Sequence, residues 1–136
     1  MTKPFSMPDP AVAPPPDHDA VVEVQTTFPR REDALACAER LVRERLAACV
    51  QVDGPITSVY HWAGRVQTAE EFRCTCKTSR QRAAACSAAI LAMHAYQTPE
   101  LIVTETWAAP AYAAWVRASV EGELRSGDGR DVGATS

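Results

Sequence analysis

The chain has 136 residues, a hydrophobic fraction of 46% and a formal charge of −3, which is enough apolar material for one core and too little length for two. It carries no clustered excess of Lys and Arg, so nucleic acid is not an expected partner. No apolar run approaches the ~20 residues that span a bilayer, and Lys3 followed by prolines is not an apolar signal core, so the expected setting is cytoplasmic with no membrane partner.

From the N-terminus, Pro4, Pro8, Pro10 and Pro14 to Pro16 stand among few large apolar side chains, so residues 1–19 are expected to be a disordered Pro-rich arm. Val22, Val24 and Phe28 alternate with Glu23 and Gln25 in a first strand over 21–28, which Pro29 closes. A helix over about 30–46 follows. Glu32 and Asp33 lie in its first turn and Arg43 and Arg45 in its last, while Leu35, Ala38, Leu41 and Val42 share its expected apolar face.

Residues 48–62 are β-rich, with Gly54 and Pro55 marking a bulge or kink, and Ala63-Gly64 turns the chain into a returning strand over 65–78. Phe72, Cys74 and Cys76 face one side of that strand. The five cysteines, Cys37, Cys49, Cys74, Cys76 and Cys86, are odd in number and lack CxxC spacing, so they are expected as reduced thiols packing as small hydrophobes rather than as metal ligands.

A second helix is expected over 80–93, burying Ala83, Cys86, Ile90 and Met93, then a strand over 100–107. Pro110 opens a short third helix on which Tyr112, Trp115, Val116 and Ser119 share a face. The last residues, 122–136, are rich in Gly, Ser, Asp and Arg and are expected to be a disordered tail, leaving one domain over 20–121.

The order predicts an α+β fold, a ferredoxin-like βαββαβ sandwich with a long hairpin between the second and third strands and a C-terminal helix. A strand over 48–62 would run roughly 50 Å at about 3.3 Å per residue, whereas a domain of ~100 residues measures about 35 Å across. The hairpin must overhang, with Val59, Tyr60 and Trp62 at its outer end, and a second copy of the chain is the simplest cover for its open edges.

Four segments then read together: Arg45-Leu46-Ala47-Ala48-Cys49-Val50, Thr57-Ser58-Val59-Tyr60-His61-Trp62-Ala63-Gly64, Lys77-Thr78, and His94-Ala95-Tyr96-Gln97-Thr98-Pro99-Glu100-Leu101, continuing into Tyr112-Ala113-Ala114-Trp115. In order and spacing this resembles the CutA divalent-cation tolerance family over about residues 21–120. The resemblance implies a ferredoxin-like homotrimer, cytoplasmic in bacteria, linked to tolerance of copper and other divalent metals and not tied to a catalytic reaction. Copper binding in some bacterial members is assigned to a Cys late in the first strand and two adjacent His before Pro-Tyr. Those positions here are Thr26, Met93 and His94, so His94 alone is retained, and Ala95 replaces the usual Pro.

His94 reads either as a hydrogen-bonded loop residue or as a ligand, with Met93 either a soft partner for Cu(I) or part of the helix stripe. The resemblance also places Lys77, Tyr96 and Glu100 near a subunit boundary, either as a structural set in which Lys77 pairs with Glu100 or as a cleft for a small anionic or amphipathic ligand. His61 and His18 have no second ligand nearby in sequence and receive no role.

Three classes of function follow: a metal-responsive trimer binding copper or a related cation, a trimeric signalling or scaffold module with a ligand or partner at its clefts, and a small acylphosphatase-like enzyme. The enzyme ranks last because Thr27-Phe28-Pro29-Arg30-Arg31 has no Gly to let backbone amides converge on a phosphate.

Overall fold

The computed structural model describes residues 20–122, so the expected disorder of 1–19 and of 123–136 falls outside the described residues. The elements are β1 (Ala20–Phe28), α1 (Arg31–Arg43), β2 (Cys49–Trp62), β3 (Arg65–Thr78), α2 (Ala83–Met93), β4 (Ile102–Trp107) and α3 (Pro110–Val120). The four strands form one antiparallel sheet in the order β2-β3-β1-β4, the ferredoxin-like α+β arrangement expected from the sequence. Among the described residues no helix is long and apolar enough to cross a membrane.

β1 is the central register of the fold. Its even residues Val22, Val24, Thr26 and Phe28 are buried, and Val22, Val24 and Phe28 pack with Cys74 and Cys76 of β3, Leu41 of α1 and Ile90 of α2. Full burial of a side chain such as Leu41 or Ile90 contributes about 1.5–3 kcal/mol. Its odd residues Glu23, Gln25 and Thr27 lie on the other face of the sheet. There α3 covers one end, where Ala113 and Val116 pack on Val21.

Four of the five cysteines take the core role expected of them, and Cys49 on β2 is only partly buried. Cys37, Cys74, Cys76 and Cys86 are buried between sheet and helices as free thiols, and the Cys74 Sγ–H donates to the Ala34 carbonyl at 3.5 Å. Cys37 contacts Cys74 and Cys86 contacts Cys76. The interaction with these neighbouring sulfurs, together with burial, pushes Cys74 and Cys76 well above the ordinary thiol range, so both stay protonated at neutral pH.

Two helix faces differ from expectation. On α1 the buried stripe is Ala34, Cys37 and Leu41, while Leu35 and Val42 point outward and are exposed. On α3 it is Ala113, Val116 and Val120, with the tilted ring pair Tyr112 and Trp115 outside. In both, the smaller residues let the helix axis approach the sheet. α2 also begins later than expected because Ser79–Arg82 forms a turn, closed by the Arg82 N–H on the Ser79 carbonyl at 3.2 Å.

The exit from α1 is a Schellman motif. Leu46 N–H bonds the Leu41 carbonyl at 2.9 Å and Arg45 N–H bonds the Val42 carbonyl at 3.1 Å, with Arg45 in the left-handed region at φ 59° and Leu46 buried with Leu41. That position usually holds Gly. Arg45 occupies it while its guanidinium Nη1 donates to the Ser119 carbonyl at 2.8 Å, tying the end of α1 to the end of α3.

The hairpin carries the expected irregularity at Gly54-Pro55, where the β2–β3 register shifts between Asp53 and Ile56. The Arg73 guanidinium grips the Asp53 carboxylate at 2.8 and 3.2 Å just before the shift. At the tip, Ala63 and Gly64 have φ of 54° and 76°, the left-handed pair of a type I′ turn. β1 pairs with β3 only over residues 72–78, so residues 65–71 pair with β2 alone and extend about 23 Å beyond the body at about 3.3 Å per residue. Neither helix layer reaches that far. Tyr60 and Trp62 on one face and Val59 and Val66 on the other are exposed.

Candidate functional site

The loop after α2 wraps around the end of β1, and that path builds the site. On the helix side the His94 ring stacks on Phe28, with centroids 4.3 Å apart and planes 9° from parallel. Its Nε2 lies 2.7 Å from the Thr27 carbonyl oxygen. A carbonyl can only accept, so Nε2 carries the proton and Nδ1 keeps the lone pair. Nδ1 accepts from the Tyr96 N–H at 3.3 Å, the longer of the two bonds.

On the open face of the sheet, Tyr96 turns its hydroxyl onto Glu71 of β3. The Glu71 carboxylate gathers three donors: Tyr96 Oη at 3.1 Å and Thr27 Oγ1 at 3.2 Å on one oxygen, and Ser58 Oγ at 2.7 Å on the other. Hydrogen bonds to an ionised acceptor are the stronger kind, so this cradle ties β1, both hairpin strands and the loop to one charge.

The remaining cleft residues lie further along the same face. Glu100 accepts from Gln25 Nε2 at 3.0 Å, and Lys77 Nζ stands 3.5 Å from the Glu23 carboxylate directly across the β1–β3 ladder. Within the single chain the register places Glu23, not Glu100, opposite Lys77. Lys77, Glu100 and Tyr96 form a row anchored on Glu23, Gln25 and Thr27, sharing one face without touching.

The three positions that correspond to copper ligands sit in different settings. Thr26 is fully buried on the helix side and its hydroxyl has no hydrogen-bond partner among the described residues; Met93 packs against the core; His94 is partly exposed in the loop. Of the three, His94 fits a metal best. A metal-binding imidazole ordinarily fixes its tautomer by donating its other N–H to a carbonyl or carboxylate, as Nε2 does here, leaving Nδ1 as the donor. Among the described residues no group of three or more His, Cys, Asp and Glu side chains is placed to share one ion.

Sequence reasoning missed Glu71, Thr27, Ser58 and Gln25. The usable signal for Glu71 was the β3 alternation, which turns Glu71 away from the side that Phe72 and Cys74 share. Arg30, just after β1, is paired to Asp33 at 3.0 and 3.1 Å.

Two expected results arise here. Burial, and then the Glu71 carboxylate, push the Tyr96 phenol up to about 12. A raised phenol stabilises the fold fully below its unfolded value near ~10, and that contribution is lost as pH rises through the folded value. The alkaline fall in melting temperature between about pH 10 and 12 should accordingly be shallower in Tyr96→Phe than in the parent; parallel curves would contradict the assignment. Thr26→Val removes the orphaned hydroxyl at constant shape and should raise stability by roughly 1 kcal/mol in urea melts, whereas a loss would mean the hydroxyl has a partner.

Residues 22–119 match the family model described as CutA1 divalent ion tolerance protein. A divalent-cation tolerance protein CutA of Escherichia coli is 33% identical over 102 residues, covering 74% of this chain and 91% of its own. The chloroplastic CutA protein of Arabidopsis thaliana is 34% identical over 99 residues, 72% of this chain but 54% of its own, so this chain spans about half of that relative. The solved structure of the CutA of Archaeoglobus fulgidus, described as a periplasmic divalent cation tolerance protein, superposes with a TM-score of 0.71 at 31% identity over 74% of this chain and 99% of that one. The long hairpin on a ferredoxin-like sheet, the loop that carries His94 to Glu100 around β1, and the sequence match across both identify this chain as a member of the CutA divalent-cation tolerance family.

Proposed function

We propose that this protein acts in divalent-cation tolerance as a non-catalytic homotrimer, joined through its overhanging hairpins, with copper or a related cation engaging His94. The observation that carries the assembly is the hairpin itself: about 23 Å of two-stranded ribbon with both faces uncovered. Open apolar positions on the β4 edge, Ile102, Val103 and Trp107, give a neighbouring hairpin a place to lie. The number three rests on the family resemblance. A cytoplasmic setting is part of this reading and rests on the cysteine pattern, five in number and without CxxC spacing, which suits reduced thiols.

The metal reading rests on the tautomer of His94: Nδ1 is the basic nitrogen and its one bond is long and easily exchanged. A single imidazole makes a modest site, and further donors would come from a second copy. Calorimetric titration of the reduced protein with Cu(I), Cu(II) and Zn(II) tests it. His94→Ala should weaken the preferred ion by about tenfold or more, the scale of losing one first ligand or its orienting partner, with an unchanged far-UV spectrum. Unaltered affinity in that variant would remove His94 from the site.

A second reading is favoured by the Glu71 cradle. Three hydroxyl donors on one half-buried carboxylate, beside Tyr96 and Glu100, make a polar groove suited to a small ligand at a subunit boundary. If the titrations show negligible metal affinity, this groove becomes the functional surface.

A further inference from the structure

The two halves of the site meet at Tyr96, whose two bonds cannot both survive an ion on His94. The backbone N–H of Tyr96 donates to His94 Nδ1 at 3.3 Å, and its hydroxyl donates to Glu71 at 3.1 Å. An imidazole nitrogen that carries no proton has one lone pair in the ring plane, so Nδ1 either accepts from Tyr96 or serves a cation. A metal such as zinc binds a histidine nitrogen at about 2.0–2.1 Å, well inside the 3.3 Å at which the Tyr96 nitrogen stands. One of the two residues has to give way.

Their surroundings decide which. The His94 ring is stacked on the buried ring of Phe28, and its Nε2 is held by the Thr27 carbonyl at 2.7 Å, so β1 fixes the ring from two sides. Tyr96 stands in a loop whose Ala95, Gln97 and Thr98 are exposed. Ala95 has no proline ring to lock its φ, so the backbone can turn between His94 and Tyr96. Tyr96 is therefore the residue that moves, and its ring, tilted against His94 with centroids 4.9 Å apart, moves with it. The hydroxyl has little slack: from 3.1 Å, a retreat of about 0.5 Å takes it beyond hydrogen-bond reach of Glu71.

We propose that Tyr96 is a relay, through which a cation taken by His94 Nδ1 releases the Tyr96 hydroxyl from Glu71. The proposal rests on the metal reading of His94 and goes beyond it by coupling that nitrogen to the carboxylate on the other face of the sheet. Glu71 keeps Thr27 and Ser58 as donors and regains an acceptor position for a ligand. Because Glu71 lies on β3 and Ser58 on β2, the change reaches the hairpin.

Coupling of this kind is reciprocal. Breaking the Tyr96–Glu71 bond is part of the cost of taking the ion, so removing that bond beforehand should tighten the ion. Calorimetric titration of the reduced full chain with Zn(II) and with Cu(I) compares the parent with Tyr96→Phe, which loses only the hydroxyl. Affinity should be about three- to tenfold higher in Tyr96→Phe, the worth of one hydrogen bond. A hydroxyl that only braced the loop or ligated the ion would give the opposite sign. Carbon-13 NMR of labelled Glu carboxylates, with the Glu71 signal assigned by its absence from Glu71→Gln, supplies a second readout. Either ion should shift that signal in the parent and leave it in place in Tyr96→Phe. Equal or weaker affinity in Tyr96→Phe, while His94→Ala still abolishes binding, would overturn the relay alone. Absence of His94-dependent binding in the parent would overturn the relay together with the metal reading. Should Tyr96→Phe fail to fold, the Glu71 signal of the parent decides, and a signal unmoved by a bound ion would overturn the relay.

Discussion

Trp62→Asp is expected to dismantle the assembly. Trp62 is 58% exposed and Tyr60 43% exposed in the single chain, on the same face of a ribbon that no helix covers. Burial of each ring against a neighbour would contribute about 1.5–3 kcal/mol or more, repeated at every symmetric contact. A carboxylate in that position would have to be desolvated without a partner, a penalty that exceeds the lost apolar gain. The variant should sediment as smaller or aggregated species, and its melting temperature should become insensitive to protein concentration, because unfolding would no longer be linked to dissociation. A variant that keeps the parent's mass and stability would place the interface elsewhere.

Gly54→Ala should strike both the hairpin and the site. Gly54 has φ +151°, and a Cβ added there would stand 2.6 Å from the Phe72 ring and 2.9 Å from the Glu71 carbonyl oxygen. The ring can move; the backbone oxygen cannot without shifting β3. Backbone strain and overpacking together should cost at least about 2 kcal/mol, which for a domain of this size lowers the melting temperature by roughly 10 °C. Because the displaced strand carries Glu71, the variant should also lose the distinctive alkaline sensitivity of Tyr96. A melting temperature within a degree or two of the parent would mean that β2 re-registers around the substitution.

Much of this architecture is legible in the sequence because strands write a period of two. Cys74 and Cys76 alternating with Arg73, Thr75 and Lys77 place the core face of β3, and Gly54-Pro55 and Ala63-Gly64 mark the bulge and the turn with residues the backbone there requires. The helices are harder. On α1 two stripes fit the helical period, and choosing the one with the larger residues, Leu35 and Val42, selects the wrong face, because close approach to the sheet selects Ala34 and Cys37. The same competition hides Ala113 behind Tyr112 and Trp115 on α3.

The site is legible only in part. His94, Tyr96 and Glu100 stand in one loop and can be found together, but the carboxylate that anchors Tyr96 comes from Glu71, whose partners Thr27, Ser58 and Tyr96 lie 44, 13 and 25 residues away. Only the strand register brings them within bonding distance. The same register decides that Lys77 meets Glu23.

The most direct test of the central claim, that the hairpin exists to join copies of this chain, is the mass of the untouched protein in solution. Light scattering at micromolar concentration should report three times the 14.7 kDa chain mass, unchanged on dilution until the protein also unfolds. A well-folded monomer under those conditions would contradict the account and, with it, any cleft placed between subunits.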